Sequence, residues 1–78
     1  MQLRSVASSN LDKIGYDGSV RTMVIRFKSG AVYEYLNVPQ DVHDNLLHAP
    51  SAGKYFNIYI RNKFQCRKSD IIGFRADI

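Results

Sequence analysis

The sequence predicts an α+β fold in which a small antiparallel β-meander of about three strands is followed by two helices that pack on it. Three observations support this: apolar residues alternate with period two in the first half, a Ser-Gly pair separates two β-rich runs, and helical spacing begins after Pro39. The chain has 78 residues, of which 45% are hydrophobic and 23% charged. These values are typical of one globular domain, so we expect residues 1–78 to form a single unit.

The three strands are predicted from residues 14–36. Ile14 to Tyr16 is expected to be part of an edge strand, because the Asp17-Gly18-Ser19 turn signal follows it. Thr22 to Lys28 has the clearest period-two pattern, and Ala31 to Leu36 completes a hairpin with it.

The hairpin loop determines which side chains share a face. If Ser29-Gly30 is a two-residue loop, Arg26 lies opposite Tyr33 and Val24 lies opposite Tyr35. The tyrosines would then share a face with Arg26 and Lys28. The other face is the expected core side, and it would carry Met23, Ile25, Phe27, Val32 and Leu36, with Glu34 as its one charge.

The first helix is predicted over Pro39 to Ala49. Val42, Leu46 and Ala49 recur at four- and three-residue steps, which is the spacing of one helical face. Proline is favoured at the start of a helix, and Pro50 ends the pattern.

The second helix is predicted to begin after Ser51, whose hydroxyl can cap it, and to run for about a dozen residues. Phe56, Ile60 and Phe64 fall at i, i+4 and i+8, with Tyr59 on the flank of the same stripe. The remaining residues 66–78 are expected to form a docked tail or an added edge strand.

The sequence offers little that favours secretion, metal binding or catalysis. Cys66 is the one cysteine, and residues 1–10 lack the apolar run of a secretory signal, so a reducing cytoplasmic location is expected, without a membrane span. His43 and His48 are five residues apart, which does not place them on one helical face, so neither a metal nor another cofactor is expected. No nucleophile and base pair is recognisable, and a non-enzymatic role is predicted.

Basic residues are concentrated near the C-terminus. The formal charge is +4, and residues 1–50 hold five Lys/Arg and five Asp/Glu, whereas residues 51–78 hold six and two. Such a bias is typical of proteins that contact phosphates or other acidic partners, and a solvated basic face is the simpler alternative.

Several short motifs resemble the pattern of the KTSC domain family in order and spacing, over about residues 6 to 64. They are Ser8-Ser9-Asn10, Ile14-Gly15-Tyr16-Asp17, Phe27 with Gly30, Tyr33-Glu34-Tyr35, Val38-Pro39, Leu46-Leu47 with Ala49, Ser51 with Gly53, and Tyr55-Phe56-Asn57 with Ile60-Arg61.

The resemblance implies a small module of the kind found at the C-terminus of some lysyl-tRNA synthetases and in stand-alone bacterial or phage proteins. It favours RNA as a partner and implies no catalytic residues. The residues from Cys66 onward lie outside the pattern.

A non-catalytic module that binds RNA or single-stranded nucleic acid is therefore the leading hypothesis. Aromatic rings stack on bases and cations contact phosphates. The alternative for the tyrosines is that they pack under a helix, with their hydroxyls reaching polar partners. The candidate nucleic-acid residues are Arg26, Lys28, Tyr33, Tyr35, Lys54, Arg61, Lys63, Arg67 and Lys68.

Three further interpretations of these residues stay open. Arg61 is equally suited to anchoring a carboxylate such as Asp17 or Glu34. A protein-interaction or inhibitor module, encoded by a phage or prophage, would use Tyr55 and Ile58 as contacts. A small-ligand pocket beneath the tyrosine pair is a third possibility, and the sequence does not define the oligomeric state.

Overall fold

The computed structural model describes residues 3–6 and 8–69. A five-stranded antiparallel sheet has the strand order β1-β2-β3-β4-β5. The elements in chain order are β1 (Leu3–Ser5), β2 (Leu11–Asp17), β3 (Thr22–Phe27), β4 (Val32–Tyr35), α1 (Gln40–His48), α2 (Ala52–Tyr55), a π-helical turn (Phe56–Ile60) and β5 (Cys66–Lys68). The predicted α+β class with an antiparallel meander and two helices is confirmed.

The predicted strand count was too low, because β1 and β5 each contain only three residues. Three residues are too few to show a period-two pattern. β2 is also longer than predicted and lies between β1 and β3, so it is not an edge strand.

The hairpin register differs from the predicted one by one residue. Gly30 N–H donates to the carbonyl of Phe27, and Phe27 N–H donates to the carbonyl of Ala31, so Lys28 joins Ser29 and Gly30 in the loop. Gly30 has φ of 97°, the left-handed conformation that a glycine accepts after a type I turn in such loops.

This shift exchanges the faces of β4. Tyr33 lies opposite Ile25 and Tyr35 opposite Met23, so the tyrosines are on the core face and not beside Arg26. Glu34 is on the other face. The predicted assignment of Met23, Ile25 and Phe27 to the core was correct, whereas that of Val32, Leu36 and Glu34 was wrong, since a one-residue slip inverts a strand.

The helices cover the Tyr35 face of the sheet. The core contains Leu11, Ile14, Met23, Ile25, Tyr35, Val38, Leu46, Ala52, Phe56 and Ile60. Burial of these apolar side chains is the main source of stability. Within residues 3–6 and 8–69, no helix is long and apolar enough to cross a membrane.

The second helix is shorter than predicted. Ser51 Oγ accepts a hydrogen bond from Lys54 N–H at 3.3 Å, as expected for a cap. After one α-helical turn the chain widens into the π-helical turn, in which Arg61 N–H donates to the carbonyl of Phe56 at 2.8 Å. Phe64 therefore lies beyond the helix. Tyr59, which was expected beside the apolar stripe, is 56% exposed.

Candidate functional site

A pocket of about 480 Å³ opens between the end of the β3–β4 hairpin and the π-helical turn. Strands β3 and β4 supply its floor, and the start of β5 closes one side. None of its described lining residues is acidic, and Arg61 is the one charged residue among them. The lining residues are Asn10, Phe27, Ser29, Ala31, Tyr33, Tyr35, Phe56, Asn57, Arg61, Asn62 and Cys66.

Four aromatic rings form the apolar wall of the pocket. Phe27 packs edge-to-face on Tyr33, with ring centroids 5.9 Å apart, and on Phe56 at 5.5 Å. Tyr35 packs edge-to-face on Phe56 at 5.6 Å. Such contacts hold the rings in fixed orientations, so the wall is formed before any ligand arrives.

The loop before β2 brings Asn10 to the pocket. Lys28 N–H donates to the Asn10 carbonyl at 2.9 Å, which joins this loop to the hairpin. Ser8 Oγ accepts from the N–H groups of Asn10 and Leu11, each at 3.1 Å. Ser8 thus satisfies backbone groups, while Asn10 is one of the lining residues of the pocket.

The π-helical turn places Asn57 and Arg61 on the opposite rim. Asn62 follows with φ of 62°, and this left-handed residue turns the chain toward β5. Among the described residues, Arg61 makes no ion pair. The predicted partner Glu34 is bound by Arg67 instead, at 2.9 Å from Nε and 2.8 Å from Nη2.

Asp17, the other predicted partner of Arg61, is held by its own turn. It accepts hydrogen bonds from Ser19 N–H at 3.1 Å and from Ser19 Oγ at 2.6 Å. These bonds lower the pKa of the Asp17 carboxyl. The structural role predicted for Arg61 as an anchor of these two carboxylates was therefore wrong.

Tyr35 has a buried ring and a hydroxyl without a hydrogen-bond partner in the described part of the chain. The residue as a whole is only 6% exposed. No fully buried side-chain oxygen of the described residues lacks a hydrogen-bond partner, so the unpaired Tyr35 hydroxyl is not fully buried. Because Tyr35 lines the pocket, we infer that its hydroxyl reaches the pocket. Burial, with smaller contributions from Cys66 and Tyr33, raises the pKa of Tyr35 to about 12. The hydroxyl therefore stays protonated and can donate a hydrogen bond to a ligand.

Arg26 and Lys28 do not share a surface with the tyrosines. Arg26 lies on the other face of the sheet, where its Nε is 3.7 Å from Asp12 Oδ2. Lys28 is in the hairpin loop. The predicted aromatic and basic hairpin face is therefore wrong as a geometry, because the longer loop moves the tyrosines to the opposite side.

Three of the C-terminal cations, Lys63, Arg67 and Lys68, lie in β5 or in the turn before it. Lys68 is directly opposite Tyr33 in the β4–β5 pairing, so its side chain leaves the sheet on the pocket face. Arg67 points to the other face and pairs with Glu34, although its side chain is 67% exposed. Lys63 is exposed in the turn before β5, and Lys54 is exposed on α2.

The residues predicted for protein contact lie on the second helix. Ile58 is 56% exposed, whereas Tyr55 is half-buried against the core. Tyr59 extends the patch, since its ring centroid is 4.6 Å from that of Tyr55.

A second depression of about 550 Å³ lies between β2 and α1. Three of its polar residues, His43, Asp44 and His48, are bonded to one another. His43 Nδ1 is 3.2 Å from Asp44 Oδ1, and His48 Nδ1 is 2.8 Å from the Asp44 carbonyl oxygen. In the described residues, no three His, Cys, Asp or Glu side chains are grouped as metal ligands. The first pocket is therefore the better candidate site.

Five polar pocket residues were not among the predicted site residues: Asn10, Ser29, Asn57, Asn62 and Cys66. Asn10 and Asn57 belong to the same set of short sequence motifs as Tyr33 and Arg61. Membership of those motifs was therefore a signal in the sequence that could have indicated them as candidate site residues. Asn62 and Cys66 lie between or after recognisable patterns and gave none.

A family model described as the KTSC domain matches residues 7–64. A crystal structure of a KTSC domain protein from Yersinia pestis is 41% identical, with a TM-score of 0.84, and the alignment covers 87% of this chain and 96% of that one.

Two bacterial proteins contain a segment similar to this chain, in one case as a small part of a long protein and in the other as most of a short one. A lysine–tRNA ligase of Nostoc punctiforme is 42% identical over 57 residues, which is 73% of this chain but only 10% of the ligase. A protein of Stutzerimonas stutzeri is 40% identical over 57 residues, covering 73% of this chain and 80% of that protein. The chain thus spans about a tenth of the ligase.

Proposed function

The chain belongs to the KTSC domain family, and we propose that it is a non-catalytic RNA-binding module that acts in the cytoplasm. The RNA would follow the basic side of the molecule from the π-helical turn to β5. The lysine–tRNA ligases that share this segment act, by their name, on an RNA, which favours RNA among nucleic acids.

One observation carries the proposal: the segment that borders one side of an aromatic pocket contains cations and no acidic residue. Residues 51–69 contain five Lys/Arg and no Asp or Glu. Arg61 lines the pocket, and Lys68 leaves the sheet on the same face. The phosphates of a nucleic acid release bound counterions when they contact Lys or Arg side chains, so the affinity for the nucleic acid falls as the salt concentration rises.

The proposal is tested by titrating labelled single-stranded RNA at two salt concentrations. For single strands, each phosphate contact contributes about −0.7 to the slope of log K against log salt. Combining Arg61→Gln, Lys63→Gln and Lys68→Gln should weaken binding at low salt by at least about 10-fold and reduce the slope by about 2.

The matched control removes the same charge elsewhere. Arg4 is exposed on β1, Lys13 is on β2 and Arg21 is exposed before β3. Combining Arg4→Gln, Lys13→Gln and Arg21→Gln should change affinity far less. Equal losses in the two triple variants, or no binding to RNA at low salt, would overturn the proposal.

A protein-contact role is the second candidate, because Ile58 and Tyr59 are each 56% exposed and adjoin Tyr55. Aromatic and aliphatic anchors are typical of interfaces. Light scattering over a range of concentrations would detect self-association through this patch. Loss of association in Ile58→Ser, with an unchanged melting temperature, would support this role, and a concentration-independent monomer would count against self-association.

A further inference from the structure

The pocket at the hairpin end has the properties of a site for a single flat, polar ring. Its wall consists of Phe27, Tyr33, Tyr35 and Phe56, whose rings are fixed by edge-to-face contacts. Its volume of about 480 Å³ lies within the range of about 300–1,000 Å³ that is typical of small-ligand sites. An apolar wall of this size binds flat rings by contact and exclusion of water.

The rim of the pocket supplies the groups that read the edge of a base. Asn10, Asn57 and Asn62 each carry a side-chain amide, which offers both a donor and an acceptor. The Tyr35 hydroxyl adds a donor without a described protein acceptor. Bidentate amides are well matched to the hydrogen-bonding edge of a nucleobase.

The positive charge of Arg61 at the pocket is complementary to the negative charge of the phosphate that would adjoin such a base. Arg61 lines the pocket, makes no ion pair with the described residues and meets no acidic residue in the described lining. Its planar guanidinium can bind a phosphate through two hydrogen bonds. Lys68 stands next to Tyr33 on the adjacent strand, so a second cation is close to the aromatic wall.

We propose that this pocket takes one unstacked nucleobase of an RNA strand, with Arg61 on the adjoining phosphate. The inference rests on the proposed RNA-binding function and specifies which form of RNA is bound. In a duplex the bases are stacked inside the helix and cannot enter a pocket, so the module would select single strands, loops or bulges over paired RNA.

The test compares a short labelled single-stranded RNA with the same strand annealed to its complement, by fluorescence anisotropy on the full chain. The single strand should bind at least about 10-fold more tightly, because each base in contact with aromatic rings contributes about 5- to 100-fold in affinity. Inorganic polyphosphate, which has charges but no bases, should compete weakly per phosphate.

Two variants connect the preference to the pocket. Asn57 is exposed, so Asn57→Ala should leave the melting temperature unchanged while weakening single-strand binding by about 3- to 10-fold. Tyr33→Leu keeps an apolar side chain but removes the ring, and should remove most of the preference for single strands. Asn45→Ala, at an exposed position on α1, is the matched control and should bind like the unchanged chain.

The outcomes separate the inference from the function on which it rests. Equal binding of single strand and duplex, or a single-strand preference unaffected by Asn57→Ala and Tyr33→Leu, would overturn the inference alone. Free adenosine or uridine monophosphate binding as tightly as the strand would identify a nucleotide site and overturn the RNA strand as the source of the base. Absence of RNA binding would overturn the function and the inference together.

Discussion

The half of the helix layer that contains α1 and the half that contains the pocket differ in how their tyrosine hydroxyls are satisfied. Beside α1, the Tyr16 hydroxyl donates to the Val38 carbonyl at 2.5 Å, and the Tyr16 ring stacks on His43 with centroids 4.8 Å apart. In the pocket half, Tyr33 and Tyr35 are also packed on neighbouring rings, but their hydroxyls have no partner in the described part of the chain.

This difference distinguishes a structural aromatic cluster from a binding one. A buried hydroxyl that is bonded inside the protein contributes to stability and has nothing left to offer a ligand. A hydroxyl that faces a pocket on a buried ring is available for recognition. The same argument applies to charge, because Asp44 pairs with His43 in the α1 half, whereas in the pocket half Arg61 makes no ion pair with any residue that the structure describes.

The largest expected effect comes from truncation of the core under α1. Leu46 is fully buried, so Leu46→Ala should reduce the free energy of unfolding by about 2–5 kcal/mol. Urea denaturation followed by circular dichroism measures this loss. RNA affinity, corrected for the folded fraction, should not change. A loss of affinity in the folded protein would show that the two halves are not independent.

A smaller difference is expected between the alanine variants of the two pocket tyrosines, in the free energy of unfolding that each variant loses. Tyr35 is 6% exposed and Tyr33 is half-buried. Tyr35→Ala should cost about 3–5 kcal/mol, enough to unfold much of a domain whose total stability is about 5 kcal/mol. Tyr33→Ala should cost clearly less. Similar thermal melts for the two variants would contradict the idea that Tyr33 belongs to the pocket and Tyr35 to the core.

Removal of single hydroxyls sharpens the comparison further. Tyr16→Phe leaves the carbonyl of the buried Val38 without this donor, so it should destabilise the fold by about 1 kcal/mol. Tyr35→Phe breaks no described hydrogen bond and should have a smaller effect on stability. Chemical denaturation of both variants measures the difference. A larger loss for Tyr35→Phe would mean that its hydroxyl has a structural role.

The smallest effect is a dependence on alkaline pH. Burial raises the pKa of Tyr35 from its ordinary value of 10.0 to about 12, so above pH 10 the unfolded chain loses this proton before the folded one does. The contribution to stability is present in full below pH 10 and is lost as pH rises toward 12. Chemical denaturation at pH values across this window should show that the free energy of unfolding declines less in Tyr35→Phe than in the unchanged chain. An identical decline in the two proteins would contradict the assignment of this pH dependence to Tyr35.

The sequence predicted the α1 half better than the pocket half for physical reasons. Val42, Leu46 and Ala49 have regular spacing between two prolines, so the helix was evident. In the second helix, Phe56, Ile58 and Ile60 alternate as a strand would, and a π-helical turn has no periodic signal of its own. The hairpin register depended on whether Lys28 belongs to the loop, which composition alone does not determine.

The candidate site depended on the same uncertain elements. Arg61, Tyr33 and Tyr35 were predicted as nucleic-acid contacts and all three line the pocket, but the register error placed the tyrosines beside Arg26. β1 was missed, and β5 was expected only as one of two alternatives for residues 66–78, because each strand has three residues and both lie outside the family match, which spans residues 7–64. The fold brings Asn10, in the loop before β2, and Asn57, in the π-helical turn, to one opening, and the short motifs alone did not indicate this proximity.

The position of β5 has a consequence for folding kinetics. Strands β1, β2 and β3 each pair with the next strand along the chain through short connections, whereas β5 reaches β4 only after the whole helix layer, with Cys66 opposite Tyr35. Closing that long loop has the largest entropic cost in the sheet. We expect β5 to pair last and to open first, so the amide protons of β5 should exchange with solvent faster than those of β3, and the pocket should assemble only in the final folding step.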